Sequence, residues 1–191
     1  MAALRDTVFG WGLFTRLLHW AIAGIILYQI VLGVWMANFV PNLFDRGDLT
    51  QTHKSWGVLA FGLVVVRVFW RTANRWRRPP LPATMPRWQV RAAAWSHRLL
   101  YLLMLSMPLS GWILVSASPL GHWLGIRSRF FGLFDLPDPV GRASYAIEHA
   151  AGAVHILGAI VLGLILIAHV GAALRHAFVE RDGVLRRMIS G

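Results

Sequence analysis

Three stretches of this 191-residue chain run the length of a bilayer without one charged side chain: 17–44, 99–126 and 149–174. A helix rises 1.5 Å per residue and needs about 20 apolar residues to cross the hydrocarbon core. A fourth stretch, 55–66, is charge-free for only 12 residues. Its apolar character continues through Val68, Phe69 and Trp70, interrupted by Arg67 and Arg71. Arginines near a helix end can snorkel to the interface. Four spans are therefore expected, near 14–36, 52–71, 95–116 and 150–177, in a single domain covering 1–191. The expected fold class is an all-α membrane protein, a four-transmembrane-helix bundle.

Composition agrees. Apolar residues make up 57% of the chain and charged residues 14%, with a mean hydropathy of +0.55. A soluble domain carries about 25% charge, and a disordered one has few apolar residues. The formal net charge of +11 needs a location. With an even number of spans, both termini fall on one side. That side collects Arg5, Arg16, the arginines from 67 to 98, and Arg175, Arg181, Arg186 and Arg187. These are 14 bases against three acids, Asp6, Glu180 and Asp182. The opposite side balances Arg46, Lys54, Arg127, Arg129 and Arg142 with Asp45, Asp48, Asp135, Asp138 and Glu148. The positive-inside rule makes the basic face, with both termini, cytoplasmic. Membrane lipid is then the expected partner, anionic lipid at the basic loop included, and nucleic acid is not expected. The first span lacks the features of a cleaved signal peptide: its apolar run is too long and a histidine sits inside it.

Cysteine is absent, which excludes disulfides, iron–sulfur clusters, thiolate zinc and covalent c-type haem. Any metal must be held by nitrogen or oxygen. Of the eight histidines, His155 and His169 are separated by 14 residues, a helical rise of about 21 Å in nearly four full turns. Both project from roughly one face, near the two ends of the fourth span. His19 lies at the basic end of the first span and His53 at the other end of the second. Depth pairs His19 with His169 and His53 with His155. Two layers of two imidazoles suit two six-coordinate haems in the bundle core. The bland alternative is hydrogen bonding between neighbouring helices, which serves one histidine better than four paired by depth. Zinc wants three or four clustered ligands, often in a HExxH motif, and a proton relay would recruit intramembrane carboxylates; neither pattern is present. Gly24, Gly33, Gly57, Gly62, Gly158, Gly163 and Gly171 would admit a planar macrocycle or, equally, close helix packing.

The stretches RLLHW (16–20), THKSWGVLAFGLVVVRVFWR (52–71), HRLLYLLMLSMPLSGWILVS (97–116) and HILGAIVLGLILIAHVGAALRH (155–176), with its trailing DGVLRRM, resemble the bacterial cytochrome b561 family. The resemblance covers most of the chain and the order and spacing of its histidines. It implies a four-helix inner-membrane protein with two haem b groups, similar to the di-haem cytochrome subunits of formate dehydrogenases and nickel hydrogenases. It further implies that His19 and His169 ligate the cytoplasmic-side haem, and His53 and His155 the outer haem. His97, at a family-typical position, would line the inner haem or a quinone pocket, with direct ligation as the lesser alternative. Arg16, Lys54, Arg67 and Arg71 are candidates for propionate contacts, with snorkelling as the alternative. The chain departs from the pattern at Ile156, where many members have Glu, and at Ala177, where a second His often follows. His149 is a competing outer ligand, His122 a loop residue, and His176 an interfacial one near a propionate.

The function implied is transmembrane electron transfer between membrane ubiquinone and a one-electron partner at the outer face. Some relatives oxidise periplasmic superoxide and pass the electron to ubiquinone. A basic funnel of Lys54, Arg46, Arg127, Arg129 and Arg142 would attract that anion. The alternative is a membrane-anchor di-haem subunit of a periplasmic dehydrogenase or hydrogenase, docked through the outer loop with Trp123, Phe130, Phe131 and Phe134. A haem-free bundle leaves the paired histidines unexplained.

Overall fold

The computed structural model describes residues 4–191 and is dominated by four long helices. These are α1 (Leu13–Asn38), α2 (Leu43–Ala73), α3 (Arg87–Ser116) and α5 (Tyr145–Arg175). All four are long and apolar enough to cross a membrane. Between α3 and α5 lie a short helix, α4 (Pro119–Trp123), and a two-stranded hairpin, β1 (Arg129–Phe130) and β2 (Phe134–Asp135). A single π turn (His176–Glu180) and α6 (Val184–Ile189) close the chain.

Local chemistry sets the boundaries. The Asn42 side chain accepts from the Phe44 N–H at 2.9 Å, with Asp45 in the first turn of α2. That cap starts α2 at Leu43, well before the expected 52. Its first turns carry Asp45, Arg46 and Asp48, so hydropathy hides a helix that hydrogen bonding extends beyond the apolar span. Pro86 precedes α3, where a residue with no N–H to donate is harmless. The residues RWQVRAAA (87–94), ahead of the expected start near 95, form the first turns of α3. Ser144 caps α5 by accepting from Ile147 N–H, and Glu148 sits in its first turn.

The helices pack as α1 against α2, α2 against α3 and α3 against α5, while α1 and α5 form no extended interface. The core is a layer of Ile22, Ile26, Ala60, Val64, Leu100 and Leu162. Val64 and Ala60 are almost wholly inaccessible. Large apolar side chains such as Leu27, Val31, Leu102, Leu157, Ile160 and Ile167 are exposed, as lipid-facing positions must be, since hydrocarbon is as apolar as they are.

At the end away from the arginines, the hairpin is tied to α2. Ser55 Oγ accepts from Phe131 N–H at 2.9 Å and lies 3.1 Å from Arg129 O. Gln51 Nε2 donates to Arg127 O at 2.7 Å, and Lys54 Nζ to Ser128 Oγ at 3.1 Å. Phe131 adopts a positive φ of 47°, a conformation rare for an aromatic residue, and its ring meets Trp56 edge-on. Beside the hairpin, Asp138 accepts from the Ser116 hydroxyl and from the Val140 and Gly141 N–H groups at 3.1 and 2.9 Å. At the arginine-rich end, α6 lies on α1: Arg16 Nη1 donates to Ile189 O at 2.8 Å and Trp20 Nε1 to Met188 O at 3.1 Å.

The Ser116 hydroxyl first, and then the Gly141 N–H, hold the Asp138 carboxyl below its ordinary value of 3.8. A depressed folded value means that the strap is intact above 3.8 and loosens as pH falls through the folded value. Amide exchange checks this. Asp138→Ala should accelerate exchange at Val140 and Gly141 at neutral pH, while the unaltered protein does so only in acid below 3.8. Equal protection in both proteins at neutral pH would contradict the strap.

Candidate functional site

The intramembrane histidines meet across helices. His19 of α1 and His169 of α5 have ring centroids 6.4 Å apart, and His53 of α2 and His155 of α5 are 6.2 Å apart. Metal–imidazole bonds of about 2 Å on opposite sides of one ion place the two ring centres roughly 6 Å apart. Each pair thus has a spacing at which its two imidazoles could hold one metal ion between them. Both pairs join α5 to a helix with which it forms no extended interface. Leu162, 3% exposed, lies midway between His155 and His169. Seven residues are about two helical turns, so Leu162 shares their face and brings the apolar core between the two layers.

The pair formed by His53 and His155 is held by α3. His155 Nδ1 lies 3.1 Å from Met107 O and 3.1 Å from Ser110 Oγ. A carbonyl can only accept, so Nδ1 carries the proton and Nε2 keeps its lone pair, the tautomer a metal ligand needs. Pro108, which removes one donor from the helix ladder, sits beside that carbonyl. A Cβ built on Gly111 would lie 2.9 Å from His155 Cε1 and 3.2 Å from Nδ1, so only glycine lets the ring lie there. From α1, the Gln29 side chain donates to His53 O of α2 at 2.8 Å, and a Cβ built on Gly33 would lie 3.5 Å from His53 Cε1. His53 Nδ1 is buried with no hydrogen-bond partner. An orphaned nitrogen in a membrane interior is costly, and a bound group that satisfied the ring would remove that cost.

The other pair has a third imidazole: His97 of α3 is 5.3 Å from His169 between centroids, closer than two trans ligands would stand. Arg67 reaches into this layer. It donates from Nη1 to Thr15 O at 3.1 Å and from Nε to Tyr101 Oη at 3.1 Å, and Nη2 lies 3.4 Å from His19 Nδ1. Thr15 is fixed in turn by Trp70 Nε1, which donates to its hydroxyl at 2.9 Å. The structure places the remaining candidates elsewhere. Arg71 lies over the Tyr101 ring, one shell from the histidines. Lys54 points to Ser128. Arg16 is buried against the last residues of the chain, and its Nε is unpartnered. His149 is exposed, and His122 Nε2 is 2.9 Å from Ser116 O. His176 Nδ1 sits 2.7 Å from Glu180 and 2.6 Å from Asp182. Glu180 is bound as well by Arg175 and Gln89, so this cluster is closed by its own ion pairs.

Sequence reasoning missed Thr15, Tyr101, Met107, Ser110 and Gly111. The one local signal was a Ser-Gly pair two residues beyond a proline inside a span. Of the seven glycines singled out, an added Cβ would meet the His53 ring at Gly33, the Gln29 amide at Gly57 and the Met107 sulfur at Gly158, and nothing within 4 Å at Gly24, Gly62, Gly163 and Gly171.

A four-span helical bundle carrying two interhelical imidazole pairs at two depths has the architecture of a membrane cytochrome. Comparison of the sequence with known families agrees: residues 10–191 match the profile described as prokaryotic cytochrome b561. The chain belongs to that family, so it is a multi-pass membrane protein of transmembrane electron transfer by b-type haem. It is 30% identical to cytochrome b561 homolog 2 of Escherichia coli strain K12 over 181 residues, covering 94% of this chain and 90% of the relative. It is 28% identical to cytochrome b561 homolog 1 of the same strain over 177 residues, covering 90% and 92%.

Gly111→Ala displaces the His155 ring and should lower the ratio of b-type haem to protein by about half. Gly47→Ala adds a carbon with nothing within 4 Å and should leave that ratio unchanged. Pyridine haemochrome spectra of the two purified variants decide between this and an uninvolved Gly111.

Proposed function

We propose that the protein carries single electrons across the membrane through two haem b groups, between ubiquinone and a one-electron partner at the outer face. The observation that supports this most strongly is the pair of interhelical imidazole spacings, 6.4 and 6.2 Å, at two levels of one bundle. His19 and His169 hold the haem at the arginine-rich level, and His53 and His155 hold the other. Held by two imidazoles each, the haems would supply reversible one-electron couples with no open site for oxygen or substrate. The chain does the rest. Met107 O and Ser110 fix the His155 tautomer, Gly111 leaves space for its ring, and the layer around Leu162 keeps water out between the two levels. His97, left over by the pairing, offers a hydrogen-bonding imidazole to a quinone headgroup.

The orientation follows from charge. The arginine-rich end, with both termini, faces the cytoplasm of the bacterial inner membrane, and the hairpin faces outward. Superoxide is the outer reductant we favour among small donors, although the outer cations do not form an open funnel. Arg127 and Arg129 both pair with Asp135, at 3.2 and 3.1 Å, and Arg46 donates to Val40 O. Lys54, at the Ser128 hydroxyl, has no carboxylate partner among the described residues, and neither has Arg46 or Arg142. The alternative, a membrane anchor for a periplasmic dehydrogenase or hydrogenase, draws support from the exposed aromatic tip, where Trp123 is 81% accessible.

Vesicles holding the purified protein and ubiquinone test the reading. An impermeant one-electron reductant or a superoxide source outside should reduce the haems and then the quinone. His155→Ala should keep one haem of two and lose quinone reduction at least tenfold. Quinone reduction at an undiminished rate in that variant would overturn the two-haem path.

A further inference from the structure

Arg67 is the one cation at either histidine level that touches an imidazole. It lies within α2, and no carboxylate pairs with it among the described residues. Its guanidinium is held at two points, by Thr15 O and the Tyr101 hydroxyl, both at 3.1 Å, and Nη2 stands 3.4 Å from His19 Nδ1, so its charge reaches the ring; a ligating His19 carries its proton on Nδ1 and takes no hydrogen bond from Arg67. An unpaired cation inside a span is expensive and marks function. Snorkelling does not describe it, because the side chain is bonded inward to α1 and α3. The other level is built differently. There His155 Nδ1 faces a carbonyl and a hydroxyl, and the nearby cation, Lys54, is turned to Ser128.

Resting on the two-haem reading above, we propose that Arg67 is a positioning residue that sets the two one-electron couples apart, raising that of the His19–His169 level above that of the His53–His155 level. A fixed positive charge stabilises whichever redox state holds the extra electron, and in a low dielectric it does so strongly. At the other level, donation from Nδ1 to a carbonyl makes the imidazole a more basic ligand, which favours the electron-poor state. Both effects point the same way. An electron entering at the outer face thus leaves the lower couple oxidised and the higher one reduced, and the charge that drives it is fixed, because a guanidinium does not titrate in the accessible range. Tyr101 and Thr15 hold the charge where it acts.

Optical redox titration of the purified holoprotein tests this, with the His19–His169 couple identified as the one missing from His19→Ala. Arg67→Gln should lower that couple so that, at a fixed applied potential, its reduced-to-oxidised ratio falls at least tenfold, about 59 mV for one electron. The other couple should stay in place. Arg67→Lys should recover most of the shift, and Tyr101→Phe, which frees the guanidinium while keeping its charge, should give a smaller fall. If Arg67→Gln loses a haem, the Lys and Phe variants carry the test: Tyr101→Phe lower and Arg67→Lys near the unaltered protein is the expected order. No movement in any haem-retaining variant, or equal movement of both couples, would overturn the proposal. A preparation of the unaltered protein with fewer than two haems would instead remove the reading on which it rests.

Discussion

Nitrogen ligands inside hydrocarbon must be satisfied, and the rest of the molecule is arranged around that constraint. Water is not available there to a polar atom without a partner, and the penalty for leaving one bare is several kcal/mol, on the order of the cost of an unmade hydrogen bond in an apolar medium. Five imidazoles lie in the four spans near the core. His155 is satisfied on one side by the Met107 carbonyl and Ser110. His53 keeps a bare buried nitrogen. The rings face each other about 6 Å apart. The family to which the chain belongs uses b-type haem, and the reading proposed above places one haem at each pair.

Packing follows the same logic. The helices associate in a chain, α1 with α2, α2 with α3 and α3 with α5, which leaves α1 and α5 apart where their histidines face. A bundle closed by side chains alone would bury more of its apolar surface. Here the buried apolar layer, from Ile22 and Ile26 through Val64 to Leu162, is thin, and it lies between the two histidine levels rather than around them. The ends are tied by polar contacts instead. Ser55, Gln51 and Asp138 hold the loop side, and Arg16, Trp20 and the cluster of His176 with Glu180 and Asp182 hold the arginine-rich side.

Much of this was legible in the sequence because it depends on period and length. Charge-free runs gave the spans, and the 14-residue interval from His155 to His169 fixed one face of α5. The pairing of His19 with His169 and His53 with His155 came from depth, and both pairs meet in the structure. What stayed hidden depends on contacts between distant parts of the chain. Nothing local links Arg67 to Thr15 and Tyr101, or Ser55 to a hairpin 76 residues further on. Arg127 and Arg129 read as free cations until Asp135 closes on them through the β1–β2 register. The early start of α2 was masked for another reason: its first turns are charged, and an asparagine cap rather than hydropathy determines where it begins.

The central claim is that the two imidazole pairs are two axial ligand sets. Low-temperature electron paramagnetic resonance of the oxidised protein, with the iron-to-chain ratio measured on the same sample, tests it most directly. The proposed reading predicts two irons per chain, both low-spin with the signals of two imidazole ligands, and neither perturbed by cyanide. A single iron, or a high-spin signal that cyanide converts, would contradict the account.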